Sequence, residues 1–234
     1  MTLIDININQ AGYQTDQATI SNIQFQVKRG ELIGMIGSNG AGKSTTIKSI
    51  LGELPFIDGE ISGLEQITYA YIPERPVFYQ ELTLWEHFEF VNAVENLADN
   101  NLTYAKDILR KFHLLNHLHE FPETFSKGMQ QKGMIALALF TKPDLLIIDE
   151  PFMGLDPGST TLFLNMIKEV QKNGTGILLC THILDTAERI CDGFVVIEKG
   201  TVKASGTLNE VLTQCKAEED NLYACISVEE DDNE

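Results

Sequence analysis

Gly37-Ser38-Asn39-Gly40-Ala41-Gly42-Lys43-Ser44-Thr45 follows the apolar run Leu32-Ile33-Gly34-Met35-Ile36 and opens the segment Thr45 to Leu51. The run reads as a buried strand and the segment as a helix, so the glycine loop lies at a strand-to-helix turn. Glycines there let the backbone curl until successive N–H groups point inward, and the positive end of the helix dipole adds to them. That combination makes a cradle for nucleotide phosphates. Lys43 would reach the β- and γ-phosphates as a point charge, and the Ser44 hydroxyl would ligate Mg²⁺. An ordinary glycine-rich turn requires no Lys-Ser pair at this spacing.

The 234 residues suffice for one substantial core, and 43% hydrophobic with 22% charged residues is ordinary for a globular chain. No apolar run approaches the roughly 18 to 20 residues of a membrane span. The start, Met1-Thr2-Leu3-Ile4-Asp5, lacks the basic-then-apolar pattern of a secretion signal, so a cytosolic chain is expected. Net charge is −17, of which the acidic stretch 217–234 supplies eight charges. Such a surface repels a phosphate backbone, which argues against nucleic acid as a partner. Cys180, Cys191, Cys215 and Cys225 form no C-x-x-C pair and read as reduced, mostly structural thiols.

Upstream of the loop, Leu3 to Ile8 and Ile23 to Val27 alternate apolar and polar residues, as half-buried antiparallel strands do. Between them stands Tyr13, equally suited to stacking on a base or to packing at a strand end. Downstream, Leu54-Pro55, Asp58-Gly59 and Ser62-Gly63 predict a run of turns before a strand at Ile67 to Ile72. Pro73-Glu74-Arg75-Pro76 then marks a hinge into a second lobe. Leu82 to Leu118 reads as helical, with Thr83 and Glu86 as a capping pair. His113 and His117 have the i, i+4 spacing that can bind metal on one helix face, but with no acid or thiol set nearby they read as surface or partly buried histidines. Trp85 reads as packing.

Ser126 is placed to cap the apolar helix after it, and an anion site at that helix N-terminus is the alternative role. Leu145-Leu146-Ile147-Ile148-Asp149-Glu150 is a buried parallel strand ending in two acids, at the strand end where α/β sheets bind ligands. Asp149 suits Mg²⁺ and Glu150 suits activation of an attacking water. Thr175 to His182 repeats the pattern, ending in a histidine able to contact a γ-phosphate or simply to start the helix 184–190. Phe194 to Ile197 and Thr201 to Ala204 read as a hairpin. Beyond Thr213 the chain turns acidic, and residues 215–234 are expected to be a disordered tail after a folded domain at 1–214.

Tyr13, the GSNGAGKST loop, Glu74, FSKGMQQK, LLIIDE, Gly154-Leu155-Asp156-Pro157 and Thr181-His182 stand in the order and spacing of ABC-transporter ATP-binding subunits. The chain resembles that family to about residue 213. Within it, the wording around Pro73-Glu74-Arg75-Pro76 and Pro151-Phe152-Met153-Gly154 is most similar to Ecs-type subunits of Gram-positive bacteria.

The resemblance implies an α/β P-loop NTPase fold of ABC ATPase type: a RecA-like core, an antiparallel β-subdomain and a helical subdomain at about 76–142. It implies ATP and Mg²⁺ as cofactors and ATP hydrolysis as the activity, with Lys43, Glu150 and His182 catalytic. Tyr13, Ser38, Asn39, Gly40, Ala41, Gly42, Lys43, Ser44 and Thr45 would surround the nucleotide, and Ser44, Glu74 and Asp149 the metal. It further implies a head-to-tail dimer in which Ser126 and Gly128 touch the partner's γ-phosphate and Asp156 lies at the seam. A separate membrane permease, most simply an exporter, would be driven from the inner face of the cell membrane.

Three residues depart from the family pattern. Lys127 replaces the first Gly and Met129 the Gln of the signature segment, and Glu74 stands where most members have Gln. Two other readings stay open: a soluble ATPase not coupled to transport and, suggested by Lys127 and Met129, a binding-only regulatory subunit.

Overall fold

The computed structural model describes residues 1–15, 17–98, 101–217 and 219–226. In chain order these form β1 (Thr2–Gly12), β2 (Ile20–Lys28), β3 (Leu32–Ile36), α1 (Lys43–Ile50), β4 (Phe56–Ser62), β5 (Tyr69–Ile72), α2 (Leu84–Val94) and α3 (Asn101–Lys111). There follow α4 (Lys127–Phe140), β6 (Leu145–Asp149), α5 (Pro157–Lys172), β7 (Gly176–Cys180), α6 (Leu184–Ile190), β8 (Gly193–Glu198), β9 (Thr201–Gly206) and α7 (Leu208–Cys215). Two compact units result, one from Met1–Ile67 with Gly176–Glu234, the other Thr68–Thr175. Among the described residues no helix is long and apolar enough to cross a membrane.

In the first unit, β1 pairs antiparallel with β2 and β4. Its period-two pattern buries Ile4, Ile6 and Ile8, while on the exposed face Gln24 and Gln26 donate to Asn7 and Asp5, each at 2.9 Å. Strand β4 replaces the run of turns expected from the sequence. Asp58-Gly59 sits where the register with β1 slips between Ile8 and Gln10, and Gly59 takes φ 145 with Asn7 O only 2.3 Å from where a Cβ would stand. It is a bulge within a strand rather than a hairpin turn.

Strand β3 is buried along its whole length and runs parallel to β7 and β8 on either side. The β8–β9 hairpin turns at Lys199-Gly200, both at positive φ (48 and 77), as a tight two-residue turn requires. The expected disorder from residue 215 does not hold for the described part of the tail. A 3-10 turn at Leu222–Cys225 carries Leu222 and Cys225, both at 0% exposure, into a core with Leu184, Phe194 and Val211. Leucine and cysteine spaced one turn apart supply the apolar contact that the acidic composition conceals. The acidic run Glu229 to Asp232 lies outside the described residues.

In the second unit, β5 is parallel to β6, in register from Tyr69 opposite Leu145. Helix α2 opens with the expected Thr83–Glu86 capping box, and its Phe88 meets Phe140 of α4 edge to face at 5.3 Å. Between α2 and α4 the histidine pair does not share a helix face. Helix α3 has ended at Lys111, His113 adopts φ 59, and His117 lies in a 3-10 turn and pairs with Glu120 at 3.0 Å. Trp85 packs on Phe88 beneath the Lys106 ammonium, 4.8 Å from its ring centroid.

Candidate functional site

The residues singled out from the sequence divide between the two units. Tyr13, the glycine loop and His182 belong to the first; Glu74, Ser126, Gly128, Asp149, Glu150 and Asp156 belong to the second.

In the first unit the loop joins β3 to α1, whose helix starts at Lys43, two residues before the expected start. Two glycines are dictated by crowding. A Cβ on Gly37 would stand 2.3 Å from Ile197 O, and one on Gly42, at φ 112, would stand 2.8 Å from Ile20 Cγ2. Gly40, at φ 77, faces open space, so there the backbone angle alone selects glycine. The loop is braced from outside by Gly200 N donating to Ala41 O at 2.8 Å. Lys43 is 7% exposed, and its ammonium donates to Gly37 O and Ser38 O, both at 2.9 Å. Its charge is thus held across its own loop, while the neighbouring Ser44 is exposed at the helix start.

Tyr13 follows β1, half exposed, with the Lys48 ammonium of α1 5.3 Å from its ring centroid. That geometry leaves an aromatic surface available and adds a cation to it. His182 is exposed at the end of β7, in a turn where Thr181 Oγ1 accepts from Ile183 N at 3.1 Å.

In the second unit β6 delivers Asp149 at 3% exposure, and its Oδ1 has no hydrogen-bond partner. A buried, unsatisfied carboxylate oxygen is costly and calls for a cation or a donor. Glu150 leaves the strand at φ 45, a left-handed conformation costing roughly 1–2 kcal/mol for a residue with a Cβ. Strain of this kind persists where the surrounding structure enforces it.

Ser126 caps α4 as expected, accepting from Met129 N at 3.3 Å. One turn in, Gly128 lies against Gly154, so close that a Cβ would stand 2.5 Å from Gly154 O. The retained second glycine of the signature segment is therefore a packing requirement, whereas the exposed Lys127 faces no such restriction. Asp156 caps α5, accepting from Ser159 N at 2.9 Å and Ser159 Oγ at 2.6 Å, and pairs with Lys132 at 3.0 Å. The Ser159 hydroxyl and amide, with the Lys132 ammonium, hold its carboxyl far below the usual carboxylate range.

Glu74, Arg75, Lys127, Gln131, Met153 and Gly154 are among the residues lining a cavity of about 470 Å³. Gln131 is 1% exposed and its Nε2 lacks a partner. Gly37 and Lys132 lie within the quoted loop and the FSKGMQQK segment, but the sequence assigns neither a contact of its own. A cation six positions beyond Ser126 was the one available signal for Lys132, and its partner lies 24 residues away.

These local geometries agree with comparisons to known proteins. The sequence profile of the family described as ABC transporter matches residues 20–153. The uncharacterized ABC transporter ATP-binding protein YthP of Bacillus subtilis (strain 168) is 46% identical over 96% of this chain and 95% of its own length. The ABC-type transporter ATP-binding protein EcsA of the same organism is 39% identical over 98% of both chains. A solved structure described as the ATP-binding subunit of an ABC transporter superposes with a TM-score of 0.86 at 45% identity, covering 91% of this chain and 93% of that one. The α/β fold is that of an ABC ATPase nucleotide-binding domain, and this chain belongs to the ABC transporter family as one of its ATP-binding proteins.

Proposed function

We propose that the chain binds ATP with magnesium, closes on a second copy of itself and hydrolyses the nucleotide to drive a separate membrane permease. The observation that carries this reading is the glycine loop: a turn too crowded for side chains at Gly37 and Gly42, with the Lys43 ammonium held across it. Backbone N–H groups of Ser38 to Thr45 cradle the phosphates, Lys43 neutralises them, and Tyr13 stacks on the base. Glu150 takes a proton from the attacking water, and His182 orients that water and the γ-phosphate. Ser126 and Gly128 donate to the nucleotide held by the second copy, and Asp156 lines the seam.

Magnesium fits the donors present. Asp149 Oδ1 is buried without a partner, Ser44 is exposed at the start of α1, and Glu74 offers a further exposed carboxylate. When bound, the ion supplies charge neutralisation at the phosphates. Among the described residues no cluster of three His, Cys, Asp or Glu side chains forms a metal cage. Magnesium needs none, since water and phosphate oxygens fill most of its shell.

The permease docks on the exposed apolar residues after the Glu74 hinge, where Val77 is 74% and Tyr79 58% exposed, next to Phe90 at 46%. On this reading the chain works at the inner face of the cell membrane. Export as the direction rests on the Ecs-type wording of the sequence, and the cargo is set by the membrane subunit.

Glu150→Gln should trap an ATP-dependent dimer visible by size-exclusion chromatography; a chain that stays monomeric at saturating ATP ends this reading. Steady phosphate release abolished by Lys43→Ala excludes a binding-only subunit. Co-purification with a detergent-solubilised membrane protein, rather than with ribosomes, excludes the uncoupled soluble ATPase.

A further inference from the structure

We propose that Cys215 and Cys225 form a thiol-modification site, at which a hydroperoxide joins them in an intramolecular disulfide that fastens the C-terminal turn to α7. Val211 and Cys215 are one turn apart on α7 and share its face. Cys225 Sγ donates to Val211 O at 3.9 Å, the carbonyl one helical turn before Cys215. Both side chains pack in the apolar cluster beneath the turn, Cys225 fully buried and Cys215 half-buried. Two thiols of one cluster, with Cys225 against the carbonyl one turn from Cys215, can approach bonding distance by side-chain rotation.

The exposure difference orders the chemistry. Burial shields Cys225 from an oxidant in solution and, with the neighbouring Cys215, pushes its thiol up to about 12. Cys215, the more accessible sulfur, therefore attacks the peroxide oxygen first, losing its proton and giving a sulfenic acid, while the alkoxide or hydroxide released takes up a proton. The Cys225 sulfur then attacks the Cys215 sulfur; the S–O bond breaks, and the sulfenic oxygen leaves as water with the Cys225 proton. One peroxide is reduced and two thiols become one disulfide.

In the reduced chain the turn is held by Asn221, which accepts from Ala224 N at 3.3 Å, by buried Leu222, and by Glu188 of α6 accepting from Leu222 N. The disulfide adds a covalent tie that the acidic residues beyond it cannot pull open. Of the other thiols, Cys180 is buried in β7, and burial raises the Cys191 thiol well above its ordinary value.

The inference is independent of nucleotide binding, and its test is too. The purified full chain is treated with hydrogen peroxide, alkylated and digested with trypsin, which cuts after Lys203 and Lys216. Peptides 204–216 and 217–234 should appear linked, lighter by two hydrogens than their sum, and separate on reduction. The link should be absent in Cys215→Ser, a half-exposed position chosen so that the fold survives. The oxidised chain should unfold roughly 5 °C higher than the reduced one, with no such rise in Cys215→Ser. Free alkylation of both thiols after oxidant, over-oxidation of Cys215 without the link, or linkage of Cys215 between two chains would each overturn the proposal.

Discussion

Lys132 Nζ donates to Asp156 Oδ2 at 3.0 Å, joining the helix that begins at Ser126 to the cap of α5. Together with the backbone approach of Gly128 to Gly154, this fixes the start of α4 against the 153–156 turn at two points. A movement of one must be shared by the other. Lys132→Ala should leave the unfolding midpoint nearly unchanged, as exposed ion pairs do, while lowering ATP turnover several-fold; Lys132→Arg should restore it. Phosphate release alongside thermal melts distinguishes a positioning effect from a folding defect.

Gly128→Ala puts a methyl group into the Gly154 carbonyl. Overpacking against backbone should cost about 1–3 kcal/mol, read by denaturant unfolding, and should weaken ATP-driven dimerisation. Lys127→Gly, at an exposed neighbour with no such contact, should leave stability unchanged within error.

Asp149→Asn should separate stability from activity. Asn removes the formal charge buried beside that unpartnered oxygen, whose desolvation opposes folding, so the nucleotide-free chain should melt higher than the parent. The same variant should lose the magnesium-dependent part of its ATP affinity in calorimetry. A melt unchanged or lower in the absence of nucleotide would contradict the account of that oxygen.

His87 gives the second unit a pH dependence. Its Nε2 accepts from Tyr79 N at 2.9 Å and its Nδ1 meets Thr83 O at 2.8 Å, an arrangement that uses the neutral ring. Burial lowers its pKa below 6.5 in the folded chain. The unfolded chain therefore takes up the proton first as pH falls. Stability is complete above about pH 6.5 and declines below it, by at most about 1.4 kcal/mol per pH unit, until the folded ring also protonates. Melts from pH 7.5 to 5 should show that slope, and His87→Gln should flatten it.

What the sequence disclosed was whatever depends on local pattern. Leu32 to Ile36 followed by a glycine loop specified strand, turn and helix together, and α6 runs over 184–190 as expected. What it concealed depends on contacts across the chain. Asp58-Gly59 looks like a turn until Asn7 is opposite it, and Leu222 looks like a stray apolar residue until α6 and α7 enclose it. His113 and His117 keep helical spacing although the helix between them has stopped. At the candidate site, glycine loop and paired acids were legible because their chemistry is carried by consecutive residues. The Gly128–Gly154 and Lys132–Asp156 contacts join residues 26 and 24 positions apart, which no local pattern records.

The Lys43 ammonium already rests on two main-chain oxygens, Gly37 O and Ser38 O. Under the proposed function an incoming phosphate would exchange with this internal pair instead of recruiting a freely rotating side chain. Little rotamer entropy is left to lose on arrival, and a feebly charged ion such as chloride gains too little to displace the carbonyl pair. Under the proposed function the loop would favour a densely charged tail over weak anions, because its own carbonyls compete for the ammonium.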